Sequence, residues 1–434
     1  MPETFTFYEF FAGSGLVRLA LEPRWTCVWA NDLDPRKAAT YTQRFGADRF
    51  ALGDVAKVSA STLPQGATLA WASFPCQDLS LAGRRRGISA ARSGTFWAFW
   101  RILRDLYDQG NRPPLVAIEN VTGLLHSEDF AVMCQAFAAI DLQFGALVVD
   151  ARHFLPQSRP RVFVVAVDRH LDCSAFVQDA PCDSPWFPHS VVEAQRKLPL
   201  AVRKAWRWWR LPVPHPSPVT VVDLMEEEPT GVSWHSAAET KRLLGLMLPI
   251  HRRKVRVAQR TGGRQIGFLY KRTRGGAQRA EVRFDGVAGC LRAPTGGSSR
   301  QTVLVVDGRR LRSRLLSSRE TARLMGVPDT FRLPDNYNDG YRAMGDGVAV
   351  PVLRWLAELL LSPLAMSFGN NWRIILGAIW RNRGIGGTVG EATHHQVRYP
   401  SPITRLSLAA STTAGVTLAS LLIARMRSIW VSSR

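Results

Sequence analysis

Three short polar stretches of the sequence carry side chains suited to covalent and acid–base chemistry. Cys76 lies in FPCQ, Glu119 lies in ENV, and Arg159 and Arg161 lie in QSRPR. A lone cysteine is most often an inert buried side chain, but a thiolate is also an intrinsically strong nucleophile. A carboxyl group and two guanidinium groups can bind a planar substrate and neutralise the charge that develops on it. Cys76 is therefore a candidate nucleophile, provided that the fold brings the three stretches together.

A second set of residues suits a nucleotide-like cofactor. The stretch FAGSG follows an apolar run, and its Gly13 and Gly15 would let a ligand approach the backbone at the start of the helix LVRLALE. Asp32 in NDLD occupies the place of a ribose-binding carboxylate. Asp54 in GDV is a candidate acceptor for an adenine amino group. Taken singly, each aspartate is equally compatible with a helix cap or a turn.

The elements that must position these residues alternate between strands and helices. GTFWAFWRILRDLYDQG and EDFAVMCQAFAAI predict helices. The alternation predicts an α/β fold with a doubly wound, mostly parallel sheet. Ligands bind such sheets at the carboxyl ends of the strands, where the polar stretches fall. The predicted strands are TFTFYEFFAG, WTCVWANDLDP, TLAWASFPCQ, PLVAIENV, GALVVDARHF and RVFVVAV.

Composition indicates a globular protein with a polyanionic partner. The chain has 434 residues, of which 46% are hydrophobic and 21% charged, so it can form roughly two to three domains. Its formal net charge is +21, and arginine far outnumbers lysine. Guanidinium groups match the geometry of phosphates and base edges, so this charge favours a nucleic-acid partner. The alternative explanation is that the high arginine content reflects only the base composition of the genome.

The cysteines and the two termini bear on the cellular setting. The six cysteines are scattered, with no C-x-x-C pair and no histidine at ligand spacing, which argues against a metal site and a disulfide framework. The N-terminal stretch lacks a basic region followed by an apolar core, so we expect a cytoplasmic protein. Near the other end, LSLAASTTAGVTLASLLI is at the short limit for a membrane span and is rich in Ser and Thr, so we expect no membrane anchor.

The amino-acid composition of the chain changes near residue 170. Pro, Trp and Arg become dense in SPWFPHS and RKAWRWWRLPVPHPSP, and HRRKVRVAQRTGGRQIGFLYKRTRGGAQRAEVRF is almost free of acids. We predict a catalytic unit over residues 1–169, a basic β-rich unit over 170–315 and a return to the first unit over 316–361. Residues 362–434 are predicted to be a poorly ordered or loosely docked tail, with no role assigned.

In order along the chain, these motifs resemble the DNA (cytosine-5) methyltransferase family. FAGSG is similar to the family's cofactor loop, FPCQDLSLAGRRRG to its nucleophile and mobile lid, and ENVTGLL and QSRPRVFVV to its base-binding strands. RETARLMGVPDTF and GDGVAVPV are similar to its last two motifs. The resemblance covers Thr6 to Leu361, with two departures: Leu16 follows Gly15 where a second glycine is usual, and Asp346 stands where Asn is common.

The resemblance implies a Rossmann-like, S-adenosylmethionine-dependent enzyme that methylates carbon 5 of cytosine in a specific double-stranded DNA sequence. Cys76 would add to carbon 6 of a flipped-out base, Glu119 would donate to nitrogen 3, Arg161 would bond oxygen 2, and Arg159 would help to hold the base. The basic unit would be the target recognition domain. The implied cofactor-binding residues are Phe11, Ala12, Gly13, Gly15, Asp32, Leu33, Asp54, Val55, Pro75, Gly345 and Val348.

Alternative functions that fit the sequence differ from this one in substrate or in activity. An RNA-directed relative is the nearest alternative, and the long insert between QSRPR and RETARLMG favours DNA. A catalytically silent DNA-binding protein is disfavoured by the intact Cys76, Glu119 and Arg161, and an amino-methyltransferase by the lack of a D-P-P-Y-like stretch. We expect a monomer of the bacterial or phage restriction–modification type, with a separately acting restriction endonuclease as a candidate companion.

Overall fold

A computed structural model describes residues 4–75, 94–182, 184–293 and 300–368. Cys76 and the Arg-rich stretch after it lie outside the described residues, as do positions 294–299 and the tail from residue 369 onward. The predictions made for these stretches therefore stay predictions.

The large sheet has seven strands in the order β3-β2-β1-β4-β5-β7-β6. Strands β3, β2, β1, β4 and β5 run parallel, whereas β7 is antiparallel to both of its neighbours. All six predicted strands are present, and the structure adds the short β3. The expected Rossmann-like α/β class is confirmed. The strands are β1 (Phe5–Phe10), β2 (Trp25–Asp32), β3 (Phe50–Leu52), β4 (Leu69–Ala72), β5 (Leu115–Val121), β6 (Leu142–Asp150) and β7 (Pro160–Asp168).

Four helices connect these strands, and their apolar faces complete the core of the sheet. In α3, Phe96, Phe99, Leu103 and Leu106 recur at helical spacing and are fully buried. The helices predicted from LVRLALE, GTFWAFWRILRDLYDQG and EDFAVMCQAFAAI correspond to α1, α3 and α4. The four are α1 (Leu16–Leu21), α2 (Pro35–Phe45), α3 (Thr95–Asp108) and α4 (Glu128–Ala139).

The segment after β7 packs on this first core. Its buried aromatic residues Trp186, Trp206 and Trp209 belong to the same hydrophobic cluster as the large sheet. The change in composition at residue 170 therefore does not coincide with a change of core. The segment contains β8 (Val177–Gln178), α5 (His189–Arg196), α6 (Leu200–Arg203), β9 (Trp208–Trp209) and α7 (Val221–Leu224).

A second, antiparallel sheet has the order β11-β10-β12-β13. Because side chains alternate along a strand, one face presents Phe268 and Val303 to the large core, and the other presents Leu269 and Leu304 to a separate small core. Two helices precede the sheet, α8 (Ala237–Gly245) and α9 (Pro249–Arg260). The strands are β10 (Arg264–Arg274), β11 (Ala277–Arg283), β12 (Thr302–Asp307) and β13 (Arg310–Leu315).

The β-rich character predicted for the basic stretch is correct for its second part and wrong for its first. HRRKVRVAQR forms most of α9, because Val255 and Ala258 recur at helical spacing and are buried in the small core. The small core begins with the residues of α8 and α9. We therefore propose that the smaller unit starts near Ala237, later than the change of composition at residue 170.

The chain returns to the first core through α10 (Ser318–Leu324), α11 (Tyr337–Gly345) and α12 (Val350–Leu356), followed by a π-helical turn at Ala357–Leu361. Helical structure continues to Phe368. Leu364 and Ala365 are buried, and the indole of Trp25 donates to the hydroxyl of Ser362. We therefore propose that the catalytic unit extends to Phe368 rather than ending at Leu361.

In the part of the chain that the structure describes, one helical stretch is long and apolar enough to cross a membrane, Tyr337–Phe368. The apolar window within it is 72% buried inside the protein. Such burial is typical of a core helix in a folded protein. In agreement with this, α12 packs against α1.

Candidate active site

Glu119 and Arg161 form an ion pair at the centre of the candidate site. Glu119 lies near the carboxyl end of β5 and Arg161 at the start of the antiparallel β7, which puts the two residues on neighbouring strands at one edge of the sheet. Arg161 Nε is 3.0 Å from Glu119 Oε1, and the side chains are only 14% and 9% exposed. The fold thus brings together two residues that are 42 positions apart in the sequence (161 − 119).

Arg159 lies beside this pair and uses its guanidinium group differently. Its Nη1 donates to the carbonyl of Leu291 at 2.7 Å, and its Nη2 donates to those of Gly345 at 3.0 Å and Gly347 at 2.7 Å. Burial, with Arg161 nearby, lowers the pKa of Arg159 below its usual range. The residue therefore ties the chain at Leu291 to the chain that joins α11 and α12.

Gln157 also binds the backbone of Leu291, at its amide rather than at its carbonyl. Its amide donates to the carbonyl of Leu324 at 2.6 Å, and its oxygen accepts from the backbone of Leu291 at 3.2 Å. The alternate spacing of Gln157, Arg159 and Arg161 predicts a shared pocket. The first two do meet at Leu291, and Arg161 lies close to the preceding residue, Cys290.

Asn120 anchors the strand end that leads to the candidate nucleophile. Its side-chain amide donates to the carbonyl of Phe74 at 3.3 Å, and its oxygen accepts from the backbone of Val121 at 2.8 Å. Pro75 is exposed and is the last residue described before Cys76. The sequence analysis quoted ENV but singled out only its glutamate. An amide beside a candidate catalytic acid at a strand end is the signal that could have identified Asn120.

The loop predicted to hold the cofactor turns sharply between β1 and α1. Phe11, Gly13 and Gly15 all have positive φ angles, of 57°, 58° and 80°. A side chain at Gly15 would also meet the ring of Phe45 at 2.5 Å. Gly15 is therefore required both by its backbone conformation and by the packing of α2 against the loop.

Asp32 fixes this loop from the next strand. Its two carboxylate oxygens accept from the backbone of Gly13 and from that of Asp34, both at 2.8 Å. The backbone of Ala12 donates to Asn31 at 2.8 Å. Each carboxylate oxygen keeps a further lone pair, so these bonds leave acceptor capacity for a ligand hydroxyl. Leu33, which follows, is 68% exposed at the same sheet edge.

Asp54 lies at the end of β3, beside the loop. Its carboxylate accepts from the backbone of Ala56 at 2.9 Å and caps a short helical turn that begins at Val55, which is buried. The helix cap that the sequence allowed for Asp54 is therefore one of its contacts. Asp54 itself is exposed, so its remaining acceptor sites are accessible to a ligand.

The turn between α11 and α12 closes over this region. A side chain at Gly345 would come within 2.7 Å of the backbone of Ala293, so this glycine permits the close approach of two chain segments. Val348 is buried in the large core. Asp346, one of the two departures from the family pattern, pairs with Lys37 of α2 at 2.9 Å. The departure adds a link to α2 and removes no group from the site.

Glu9 is a buried acid that the sequence analysis missed. It lies in β1 just before the cofactor loop, is fully buried, and accepts from the hydroxyl of Tyr41 at 3.3 Å. Burial raises the pKa of Glu9 to about 8, although the charge of Arg18 opposes the shift. An acid inside the apolar run FTFYEFF is the signal that could have identified it.

The sequence analysis also missed Cys290, a thiol in contact with the arginines of the site. Burial on its own would raise the pKa of Cys290, but the guanidinium groups of Arg159, Arg161 and Arg292 lower it to about 7. No sequence pattern marked this residue, because Arg159 and Arg161 come from a distant strand. No cluster of three or more potential metal ligands occurs among the residues described.

A sequence profile of the C-5 cytosine-specific DNA methylases matches residues 5–362. The chain belongs to this family. The matched range agrees with the predicted extent of the resemblance, and the chain is therefore a DNA cytosine-5 methyltransferase.

Curated relatives of this methyltransferase are enzymes of restriction–modification systems. The chain is 27% identical over 367 residues to the Type II methyltransferase M.BsuFI of Bacillus subtilis, covering 83% of this chain and 74% of the relative. It is 26% identical over 366 residues to M.HhaI of Haemophilus parahaemolyticus, covering 82% and 94%. The setting predicted from the sequence is thereby confirmed.

Solved structures share the fold of the methyltransferase at low sequence identity. The Entamoeba histolytica methyltransferase EhMeth superposes with a TM-score of 0.57 and 14% identity, covering 83% of this chain and 99% of that one. The Dnmt2 methyltransferase of S. pombe has a TM-score of 0.51 and 16% identity, with the same coverage. At these identities the likeness concerns the fold alone.

Proposed function

We propose that this methyltransferase uses S-adenosylmethionine to methylate carbon 5 of cytosine within a specific double-stranded DNA sequence, through base flipping and a covalent adduct of Cys76. The observation that carries the proposal is the buried pair of Glu119 and Arg161, 3.0 Å apart. The pair lies on β5 and β7, and β5 neighbours the strand β4 whose continuation leads to Cys76. A site with these three groups matches what the reaction at cytosine requires.

Carbon 5 of cytosine is a poor nucleophile, so the ring must first be activated. The activating step is the addition of an enzyme nucleophile to carbon 6. Addition of the Cys76 thiolate to carbon 6 forms an S–C bond and turns the ring into an enamine, with carbanion character at carbon 5. After methyl transfer, loss of the proton from carbon 5 and breakage of the S–C bond restore the ring and the thiolate. Covalent catalysis thus divides one difficult step into easier ones.

Glu119 and Arg161 act on the opposite edge of the ring. Addition of sulfur places electron density on nitrogen 3 and oxygen 2, so a proton donor at the first and a cation at the second stabilise the adduct. We assign these roles to Glu119 and Arg161. For Arg159 we propose an indirect part, since its guanidinium holds the backbone of Leu291, Gly345 and Gly347 in place.

The cofactor loop fits S-adenosylmethionine, which supplies an electrophilic methyl group when it is bound. Gly13 has open space around its α-carbon, and the loop has the positive φ angles that let a backbone approach a ligand closely. We propose that Asp32 and Leu33 bind the ribose side, and that Asp54 and Val55 bind the adenine side. Phe11, Ala12, Gly13, Gly15, Pro75, Gly345 and Val348 would form the remaining walls.

Duplex DNA fits the charge of the smaller unit. The target base is stacked in the helix, so it must be rotated out before Cys76 can reach carbon 6. We propose that the unit from about Ala237 to Leu315 supplies phosphate contacts and base readout. The stretch after Cys76 would close over the base. We further propose a cytoplasmic monomer whose companion endonuclease, where present, acts separately.

Bisulfite sequencing of DNA from cells that express the protein tests the proposal and reports the target sequence. Cys76→Ala should abolish methylation and leave sequence-specific binding intact, because the thiol takes part only in the covalent step. Duplex DNA that carries 5-fluorocytosine should trap an adduct that requires both Cys76 and the methyl donor, since fluorine cannot leave in the elimination step. Methylation by Cys76→Ala near the wild-type rate would overturn the nucleophile assignment.

A further inference from the structure

Cys290 lies on the chain segment that leaves the second sheet after β11 and enters the active site. Its Sγ is 3.4 Å from Nη1 of Arg159 and 3.9 Å from each Nη atom of Arg161. Unlike the two arginines, which come from the large sheet, Cys290 comes from the chain of the smaller unit. The sulfur therefore marks a direct contact between the recognition unit and the catalytic edge.

The backbone on both sides of this sulfur is held in place. Gly289 donates to the side chain of Gln301 at 2.9 Å and accepts from it at 2.7 Å. Leu291 donates to Gln157 at 3.2 Å and accepts from Arg159 at 2.7 Å. Four hydrogen bonds on the neighbouring residues therefore hold the backbone that carries the sulfur.

The sulfur lies on the edge of the Arg161 guanidinium that Glu119 does not occupy. Glu119 takes Nε at 3.0 Å, and the sulfur lies beside the two Nη atoms. Among the described residues, the charged or titratable groups that also act on Cys290 include Arg159, Arg292 and Tyr341. Cations predominate around the sulfur, and the pKa of Cys290 falls to about 7, so a thiolate can form there.

We propose that Cys290 is a positioning residue, whose sulfur holds the Arg161 guanidinium in the orientation that pairs with Glu119. The recognition segment thereby sets the geometry of the base-binding pair. The inference rests on the proposed roles of Glu119 and Arg161. It predicts that the rate of methyl transfer depends on the side chain at position 290, whereas cofactor binding does not.

Single-turnover methyl transfer provides the first test, with a duplex that carries the target found by bisulfite sequencing. Cys290→Ala should lower the rate about tenfold, because a misplaced guanidinium stabilises the adduct less well. Its dissociation constant for S-adenosylmethionine should stay within about twofold of wild type, since the altered contact lies outside the proposed cofactor loop. Cys182→Ala, which removes an exposed thiol, is the matched control and should behave as wild type.

Serine at position 290 separates positioning from a simple packing role. Below pH 7 the wild-type thiol is largely neutral, and Cys290→Ser keeps a small polar group on Arg161, so we expect a rate within about threefold of wild type. As the pH rises through about 7, only the wild-type sulfur ionises. The difference in rate between wild type and Cys290→Ser should therefore increase. A difference that stays constant across this range, or a Cys290→Ala enzyme as fast as wild type, would overturn the proposal.

Alkylation provides a readout that does not depend on turnover. In the Cys76→Ala background, mass spectrometry would follow the labelling of Cys290 by iodoacetamide. A target duplex should slow the labelling and a scrambled duplex should not, since the flipped base would bind Arg161 next to the sulfur. Equal labelling with both duplexes would count against the proposal, even if Cys290→Ala fails to fold. Failure of the proposed function is recognised separately, because the wild-type enzyme would then leave cytosine unmethylated.

Discussion

At the scale of single residues, the candidate site combines groups proposed to act on a substrate with groups that hold the neighbouring backbone in place. Glu119 and Arg161 face each other across two strands, whereas Arg159, Gln157 and Asn120 spend their hydrogen bonds on backbone carbonyls and amides. Buried polar networks of this kind fix a geometry as long as each member is satisfied. Residue types alone do not separate the two classes, since arginine occurs in both.

Glu9 gives a prediction about pH at this scale. A carboxyl group whose pKa is raised by folding stabilises the protein below its unfolded pKa, and that contribution is lost as the pH rises through the folded pKa. For Glu9 the window runs from the ordinary value of 4.5 to about 8. Glu9→Gln stays neutral, so its free energy of unfolding should rise relative to that of wild type as the pH increases across this window, because the wild type alone loses stability there.

Urea unfolding of both proteins at several pH values measures the difference. The comparison isolates Glu9 because its neighbours Arg18, Tyr41 and Cys27 are present in both proteins. Glu22→Gln, which removes a partly exposed acid paired with Arg18, is the control and should show a much smaller dependence on pH. A difference between Glu9→Gln and wild type that does not change with pH would show that Glu9 titrates normally in the folded state.

At the scale of elements, the junction between β13 and α10 joins the two sheets through a buried ion pair. Arg314 and Glu320 are 1% and 0% exposed, and both Nη atoms of Arg314 lie 2.6 Å from the carboxylate. Glu320 also accepts from the backbone of Ser317 at the start of α10 and from that of Glu226. The carboxylate therefore caps a helix and binds the last strand of the smaller sheet at the same time.

Removing one partner of this pair should be costly. Arg314→Met leaves the Glu320 carboxylate buried without its cation, so we expect a loss of about 3–5 kcal/mol in the free energy of unfolding. Arg323→Met, which breaks the exposed pair with Asp329, is the matched control and should cost less than about 1 kcal/mol. Chemical denaturation measures both, and equal losses in the two variants would contradict this account of the junction.

At the scale of the whole molecule, helix α9 carries a cluster of exposed cations. Exposed cations on α9 have no carboxylate within 4.0 Å in the described part of the chain: Arg252, Arg253, Lys254, Arg256 and Arg260. The helix covers the face of the second sheet that points away from the large core. Cations so placed suit contacts to phosphates more than contacts to base edges.

An alanine scan from Arg252 to Arg300 should therefore give two classes of variant. Loss of a phosphate contact weakens binding to all sequences and lowers the salt slope by about one per contact, which we expect on α9, for example in Arg253→Ala. Loss of a bidentate base contact costs about 1–3 kcal/mol on the cognate site, and at least one arginine should relax the methylated sequence. Binding to cognate and scrambled duplexes at several salt concentrations separates the classes.

If every substitution in the scan weakens binding uniformly and none alters the methylated sequence, recognition does not reside in this unit. The Trp-rich stretch of residues 205–211, which precedes it, would then be the next segment to test. Bisulfite sequencing after expression of each variant reports the methylated sequence directly.

The sequence by itself determined the class of fold and proposed most of the residues of the candidate site. Strands that alternate with helices, and polar residues at the strand ends, identified the Rossmann-like sheet and Glu119, Arg159 and Arg161, because periodicity and local motifs are properties of neighbouring residues. The loop at Gly13 and Gly15 was likewise visible, since left-handed backbone conformations select glycine locally.

Only the tertiary structure decided which of these residues meet and what each one holds. HRRKVRVAQR became a helix because Val255 and Ala258 find a small core that forms only when the second sheet is assembled. Arg159 proved to bind backbone carbonyls, and Cys290 to lie against Arg161 across 129 positions of sequence. Contacts over such separations depend on how whole elements pack, and no local pattern of residues records that.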